Sequence, residues 1–359
     1  MPISSSEKAG RMVDVRTDRS LAGLKATFMQ FADTVFASEP LSRRLSLEVA
    51  ESPALLALAA AAQAGQYPPY VLFAAVHYLL LADATEPLAD YFPSLRSAPL
   101  APDHAFPAFE EFCKGHEDEL RDLVETRLVQ THDVGRSACL TPAFAYVAQL
   151  AANAPLHLID IGASAGLNLL FDRYRLDYGR FVWGDAASPV RISCELRDGT
   201  DPSLDGWKPN VRHRIGIDLN PIDLTSESEA RWLRALVRPD RQGSADLLAQ
   251  AMSIAAQDPP KVLQGDATAL LPGLLADVSR AEIPCVYQSY ALEYFPEDSR
   301  QAFLQALDGF GAARDLYFID MAGPGERGRL HLTSWQGGDR KVVQLAECPA
   351  HGQWLKWLV

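Results

Sequence analysis

Thirteen residues constrain this chain more than any others: Leu156-His157-Leu158-Ile159-Asp160-Ile161-Gly162-Ala163-Ser164-Ala165-Gly166-Leu167-Asn168. Leu156, Leu158, Ile159 and Ile161 form the short apolar run that a parallel strand needs when both its faces are covered. Gly162, Ala163, Ser164, Ala165 and Gly166 then carry almost no side-chain bulk. A ligand can approach such a backbone closely, and its polar groups can meet free N–H groups at a helix start. Leu167, Leu170, Phe171 and Tyr174 fall at helical spacing, which predicts a helix packed back on the sheet. Asp160 closes the strand. The pattern alone fits three things. It is an ordinary strand-to-helix turn, a nucleophile elbow with Ser164 as nucleophile, or a variant of the glycine-rich turn of nucleotide and S-adenosylmethionine sites.

The flanking sequence differs on the two sides of this stretch. From about residue 20 to 150 only helical periodicity is found. Leu24, Phe28, Phe31 and Val35 share one face, and Ser52-Pro53 starts a helix through Ala62. Gly65 and Pro68-Pro69 interrupt before a helix over 70–81. A long amphipathic helix is predicted over 109–129, and another from Thr141-Pro142 through Leu150. Residues 1–150 therefore read as a helical N-terminal or cap domain. Within it the polar run Gln130-Thr131-His132-Asp133-Val134-Gly135-Arg136 is either a solvated connector or a segment held over a ligand site. In the second case Arg136 would pair with a carboxylate, and His132 or Asp133 would handle a proton.

From 156 onward strands and helices alternate. Val190, Ile192, Cys194 and Leu196 alternate with polar residues and predict a β-hairpin with 181–183, an insertion near 181–210. Further strands are predicted over 213–221, 261–267, 284–290 and 316–320. A capping box, Ser226-x-x-Glu229, starts a helix, and others cover 244–256 and 299–307. The segments 331–334, 342–346 and 354–359 follow with no helix between them, which predicts antiparallel strands at the sheet edge. Residues 151–359 are thus one α/β domain with a mostly parallel sheet.

Such a sheet binds ligands outside the carboxyl ends of its strands. The predicted strand ends carry Asp160 with Gly162, Asp218, Asp266 and Ser289. A carboxylate at the end of the second strand suits a ribose diol, because it accepts from both hydroxyls. One at the end of the third can accept from an adenine amine. Each is also a plausible turn residue.

The series Asp160-Ile161-Gly162-Ala163-Ser164-Ala165-Gly166, Gly216-Ile217-Asp218, Gly265-Asp266-Ala267 and an antiparallel ending resembles the class I S-adenosylmethionine-dependent methyltransferases, a Rossmann-like fold. More narrowly, several phrases resemble the bacterial domain-of-unknown-function family 2332. They are the 130–136 run, Gly162 through Leu169, Asp172-Arg173-Tyr174, Trp183-Gly184-Asp185, Gly216 through Pro221 and Arg231-Trp232-Leu233. The resemblance implies S-adenosylmethionine as cofactor. It would be held by Asp160, Gly162, Ala163, Ser164, Gly166, Asn168, Asp218, Leu219, Asp266, Ala267 and Ser289. Two departures stand out: Ser164 replaces the middle glycine of the usual turn, and the gap to Asp218 exceeds the roughly 20 residues usual for a ribose acid.

Methyl transfer is an in-line displacement that depends mainly on alignment and exclusion of water. Tyr290, Glu293 and Tyr294, after the fourth predicted strand, are the candidates for orienting or deprotonating an acceptor. Gln130, Thr131, His132 and Arg136 are the candidates for the cap. The acceptor is expected to be a small molecule. The alternatives are a non-catalytic cofactor-binding or regulatory protein and, less well supported, a hydrolase using Ser164. The hydrolase needs a downstream acid–histidine pair that the histidines at 213, 331 and 351 do not obviously supply.

A formal net charge of −13 argues against a broad nucleic-acid or anionic-membrane surface. Five scattered cysteines without C-x-x-C spacing indicate neither a disulfide framework nor a zinc knuckle. No metal site is expected, and a reducing cytoplasm fits best. Residues 1–20 lack the apolar core of a signal peptide, and no apolar run is long enough to span a bilayer. The oligomeric state stays open.

Overall fold

The structure, a computed structural model, describes residues 18–323 and 327–359. The stretch read against a signal peptide lies almost wholly outside the described residues. The chain divides into two units. One holds the residues up to Thr131 together with Arg231–Ala245; the other holds His132–Ala230 and Asp246–Val359. The division thus falls at 131/132 rather than at 150. Among the described residues no helix is long and apolar enough to cross a membrane.

The first unit is helical: α1 (Leu21–Asp33), α2 (Pro40–Val49), α3 (Pro53–Ala59), α4 (Pro68–Ala82), α5 (Ala105–Gly115) and α6 (Glu117–Thr126). Proline opens α2, α3 and α4, where its missing N–H costs nothing and its fixed φ suits the first turn. The single helix expected over 109–129 is two. The chain breaks at His116 (φ −118°, ψ 26°), just after Gly115, and α6 restarts with Glu117, Asp118 and Glu119 in its first turn, where acids favour a helix start. Trp232 and Leu236 complete this unit's core. The Trp232 indole donates to Leu128 O at 2.8 Å.

The second unit is α/β. Its elements are α7 (Ser137–Leu150), β1 (Leu156–Ile161), β2 (Arg175–Asp177), β3 (Val182–Gly184), β4 (Arg191–Ser193), β5 (Glu195–Leu196) and β6 (Val211–Asp218). Then follow α8 (Glu227–Ala235) and α9 (Gln242–Ala255), each running across a boundary between the units, β7 (Val262–Gln264), α10 (Ala267–Asp277), β8 (Ile283–Ser289) and α11 (Glu297–Gly311). The chain ends with β9 (Leu316–Ala322), β10 (Gly328–Gln336), β11 (Asp339–Cys348) and β12 (Trp354–Trp357). The large sheet runs β5-β12-β11-β10-β9-β8-β1-β6-β7. The five strands β7-β6-β1-β8-β9 are parallel, and β10, β11 and β12 continue antiparallel, as the helix-free ending predicts. Strand order reverses between β1 and β8, and sheets of this kind commonly bind ligands outside the carboxyl ends at such a point.

Side chains alternate across β1 as the period of two requires. Ile159 and Ile161 join Val286, Phe318, Leu271, Leu275, Phe303 and Leu307 under α10 and α11. On the opposite face Phe144 of α7 meets Tyr287 at 5.0 Å and Phe171 at 4.7 Å between ring centroids.

Two local expectations are corrected. Residues 167–173 form a kinked 3-10 segment, not an α-helix. The Tyr174 hydroxyl donates to Leu167 O (2.6 Å) and Arg214 donates to Leu169 O (2.7 Å), so carbonyls that an α-helix would use are occupied. Residues 181–183 and 190–196 also do not pair with each other. β3 pairs antiparallel with β2, and β4 lies parallel along the other edge of β2. The cause is a tight turn after β2, where Gly179 (φ 75°) donates to Asp177 Oδ1 at 2.8 Å.

Candidate active site

The turn after β1 is built by left-handed backbone at Gly162 (φ 73°), Ser164 (φ 53°) and Gly166 (φ 71°). Serine at the middle position therefore carries a strain that glycine would not. Asp218, at the carboxyl end of the adjacent strand β6, accepts from Ser164 N (2.8 Å) and from Asn220 N (2.9 Å). The long gap to Asp218 thus does not displace it: β6 lies beside β1, and the carboxylate touches the turn.

The expectation of free amides is corrected. Gly162 N and Ala163 N both donate to Ile217 O (2.8 and 3.1 Å), Ser164 N to Asp218, and Gly166 N to Ala163 O (2.7 Å). The smallness of the turn also has a packing cause. A Cβ on Gly162 would lie 2.4 Å from Ala291 Cβ, and one on Gly166 would lie 2.8 Å from Pro260 Cγ. Ala163 is buried against Gly216, where a Cβ would sit 2.5 Å away.

Asp160 is buried in the second unit, opposite Tyr287 of β8 in the strand register. Burial, and then the Asp218 charge, push its carboxyl up to about 8, against the pull of Tyr287 and Arg136. It therefore holds its proton at neutral pH. The Tyr287 hydroxyl is buried beside it without a well-formed hydrogen bond.

Arg136 comes to this end from the polar run before α7. It donates to Ser289 O (3.0 Å), Ser289 Oγ (3.3 Å) and Ala350 O (2.9 Å), and lies 4.8 Å from the centre of the Tyr290 ring. In place of a carboxylate partner it has main-chain carbonyls and an aromatic face. Asp133 accepts from Gly135 N (3.0 Å) and pairs closely with His351. His351, together with its neighbour Arg136, holds its pKa down despite burial. The His132 ring is kept neutral, its pKa lowered to about 4 by burial and then by Arg136. Gln130 and Thr131 end the first unit.

Asn168 is buried and accepts from Ser137 Oγ at 2.9 Å. Asp266 caps α10, its Oδ1 accepting from Thr268 N and Thr268 Oγ1 at 2.7 Å each, and Ala267 is buried in the first turn. Leu219 projects from the end of β6, 64% exposed. Tyr290, Glu293 and Tyr294 follow β8 in different surroundings. Tyr290 has left-handed backbone (φ 63°) and a buried hydroxyl near Gly328. Glu293 accepts from Gly323 N (3.1 Å), and Tyr294 is 76% exposed.

Sequence reading missed Gln288. This buried amide accepts from Ala291 N (2.7 Å) and Leu292 N (3.3 Å) and donates to Met321 O (3.1 Å) and to Asp320. It ties the loop after β8 to the end of β9. A polar residue inside an apolar strand, one position before a predicted strand end, was the available signal.

Among the described residues, Nε2 of His132, Oγ of Ser164 and the hydroxyl of Tyr290 are also buried without a hydrogen-bond partner. Buried polar atoms are rarely left so. The isolated Ser164 hydroxyl also leaves a hydrolase nucleophile without its base.

The fold defines an α/β unit with a large, mostly parallel sheet whose strand order reverses between β1 and β8. The chain belongs to the family described as "Uncharacterized protein conserved in bacteria (DUF2332)", whose model matches residues 25–357. No curated protein and no solved structure matches the chain.

Proposed function

We propose that the second unit binds S-adenosylmethionine at the carboxyl ends of β1 and β6 and transfers its methyl group to a small-molecule acceptor. The observation that carries this reading is Asp218, a carboxylate on the strand next to the glycine turn and in contact with it. From there it can accept from a ribose diol. The unpartnered Ser164 hydroxyl supports a polar ligand at the turn, and exposed Leu219 supports an apolar surface for a purine beside the carboxylate. When bound, the sulfonium would supply an activated methyl group. Asp218 and Leu219 would hold the nucleoside end, and protonated Asp160 would donate a hydrogen bond from beneath the turn. Arg136 and Tyr290 would form the wall toward β8.

A second reading, a non-catalytic cofactor-binding protein, is favoured by the burial of the Tyr290 hydroxyl and by Glu293 being taken up by Gly323 N. Calorimetric titration with S-adenosylmethionine and S-adenosylhomocysteine, followed by turnover over a panel of acceptors, tests both. Saturable binding with turnover supports methyl transfer, and binding without turnover supports the second reading. No heat of binding up to millimolar ligand removes both.

A further inference from the structure

At the opposite, amino-terminal edge of the parallel strands, three metal-ligating side chains meet. His157 on β1 and His213 on β6 are register partners. Glu282 immediately precedes β8. His213 Nδ1 lies 2.8 Å and His157 Nδ1 3.2 Å from the same Glu282 oxygen, and the donor atoms of all three residues fall within 4.8 Å of one another. We infer that His157, His213 and Glu282 bind a divalent transition cation of the zinc type, linking β1, β6 and the start of β8.

The two separations from the shared Glu282 oxygen are close to those of a ligand set. Four-coordinate zinc, with bonds of about 2.0–2.2 Å, places neighbouring donor atoms roughly 3.3–3.5 Å apart. The 3.2 Å separation is nearly there, and the 2.8 Å one needs only a small outward swing of His213. That ring is free to make it, its side chain being 58% exposed against 16% for His157 and 4% for Glu282. Imidazole and carboxylate together suit zinc better than magnesium or calcium, which favour all-oxygen sets. Two neutral imidazoles and one carboxylate give the set a charge of about −1 toward a dication. Each neutral ring can carry its proton on Nε2, leaving Nδ1 to the ion. The exposed side beside His213 leaves a fourth position for water.

Two cations border the set. Arg212 Nε is 3.8 Å from the other Glu282 oxygen, on a side chain 68% exposed that can turn away. Arg314 donates instead to the main-chain oxygens of Val278 (2.6 Å), Ser279 and Glu282 (2.5 Å), so it holds the backbone leading to Glu282.

The test uses full-length protein with any affinity tag removed, stripped by dialysis against a chelator. Zinc is then titrated in competition with a chromophoric indicator. One equivalent per chain is expected. His213→Ala should weaken binding by at least about ten-fold, since even outer-shell changes cost that much, with unchanged circular dichroism because the ring is largely exposed. Cobalt in place of zinc should give visible bands without the near-ultraviolet sulfur-to-cobalt band. Absence of saturable zinc binding overturns the inference. So does binding that His213→Ala leaves untouched, or a sulfur band, which would move the ion to the buried thiols of Cys139, Cys194 and Cys348 that neighbour one another.

Discussion

Replacing Asp160 by asparagine should make the protein less sensitive to alkaline pH. Burial, then the nearby Asp218 charge, raises the Asp160 pKa from the ordinary 3.8 to about 8. The folded state therefore binds a proton that the unfolded chain has released between those two values. A raised folded-state pKa contributes stability that is fully present below pH 4 and is lost as pH climbs through 8. At 1.36 kcal/mol per pKa unit the full span corresponds to about 6 kcal/mol. The part lost between pH 5 and pH 9 is about 4 kcal/mol. The asparagine amide is close in shape to the protonated acid and does not titrate. Urea unfolding of the parent and Asp160→Asn at pH 5, 7 and 9 reads the difference directly. The variant should gain on the parent by about 4 kcal/mol across that range, with the urea m-value unchanged. A difference that stays flat with pH would show that Asp160 is already ionised in the fold, and the account of its surroundings would fail.

Asp218→Ala should weaken binding of S-adenosylhomocysteine by about 1–3 kcal/mol, measured by calorimetry. A melting curve of the same variant reports separately on the lost bond to Ser164 N. Ser164→Gly should raise unfolding free energy by about 1 kcal/mol by relieving the left-handed backbone; a loss of stability would mean the hydroxyl is satisfied after all. Gly162→Ala should destabilise by about 2–4 kcal/mol, combining the positive φ with the clash at Ala291, and a fluorescence-monitored denaturant titration would show it.

Much of the fold was legible because hydrophobic period is a local signal. Leu158, Ile159 and Ile161 identified a buried strand, and the helix-free ending identified the antiparallel edge. What the sequence concealed depends on competition from distant groups. Nothing near 167–173 announces that Arg214 takes the Leu169 carbonyl and keeps the segment from closing into an α-helix. The position of Asp218 beside the turn was legible from its place at a strand end. The engagement of the turn amides was not, since Ile217 O is a backbone atom that no residue type reveals. His157, His213 and Glu282 are far apart in the chain and meet only through the parallel pairing of β1 with β6 and β8. Gly162 read as an opening for a ligand, whereas Ala291 fills the space beside it.

The claim that a nucleoside sits at the carboxyl ends of β1 and β6 is tested most directly by hydrogen exchange followed by mass spectrometry, with and without saturating S-adenosylhomocysteine. Slower exchange is predicted in peptides covering 160–168 and 216–222, with none in those covering 72–80, because a ligand suppresses local opening where it binds. Unchanged exchange in both strand-end peptides would contradict the assignment.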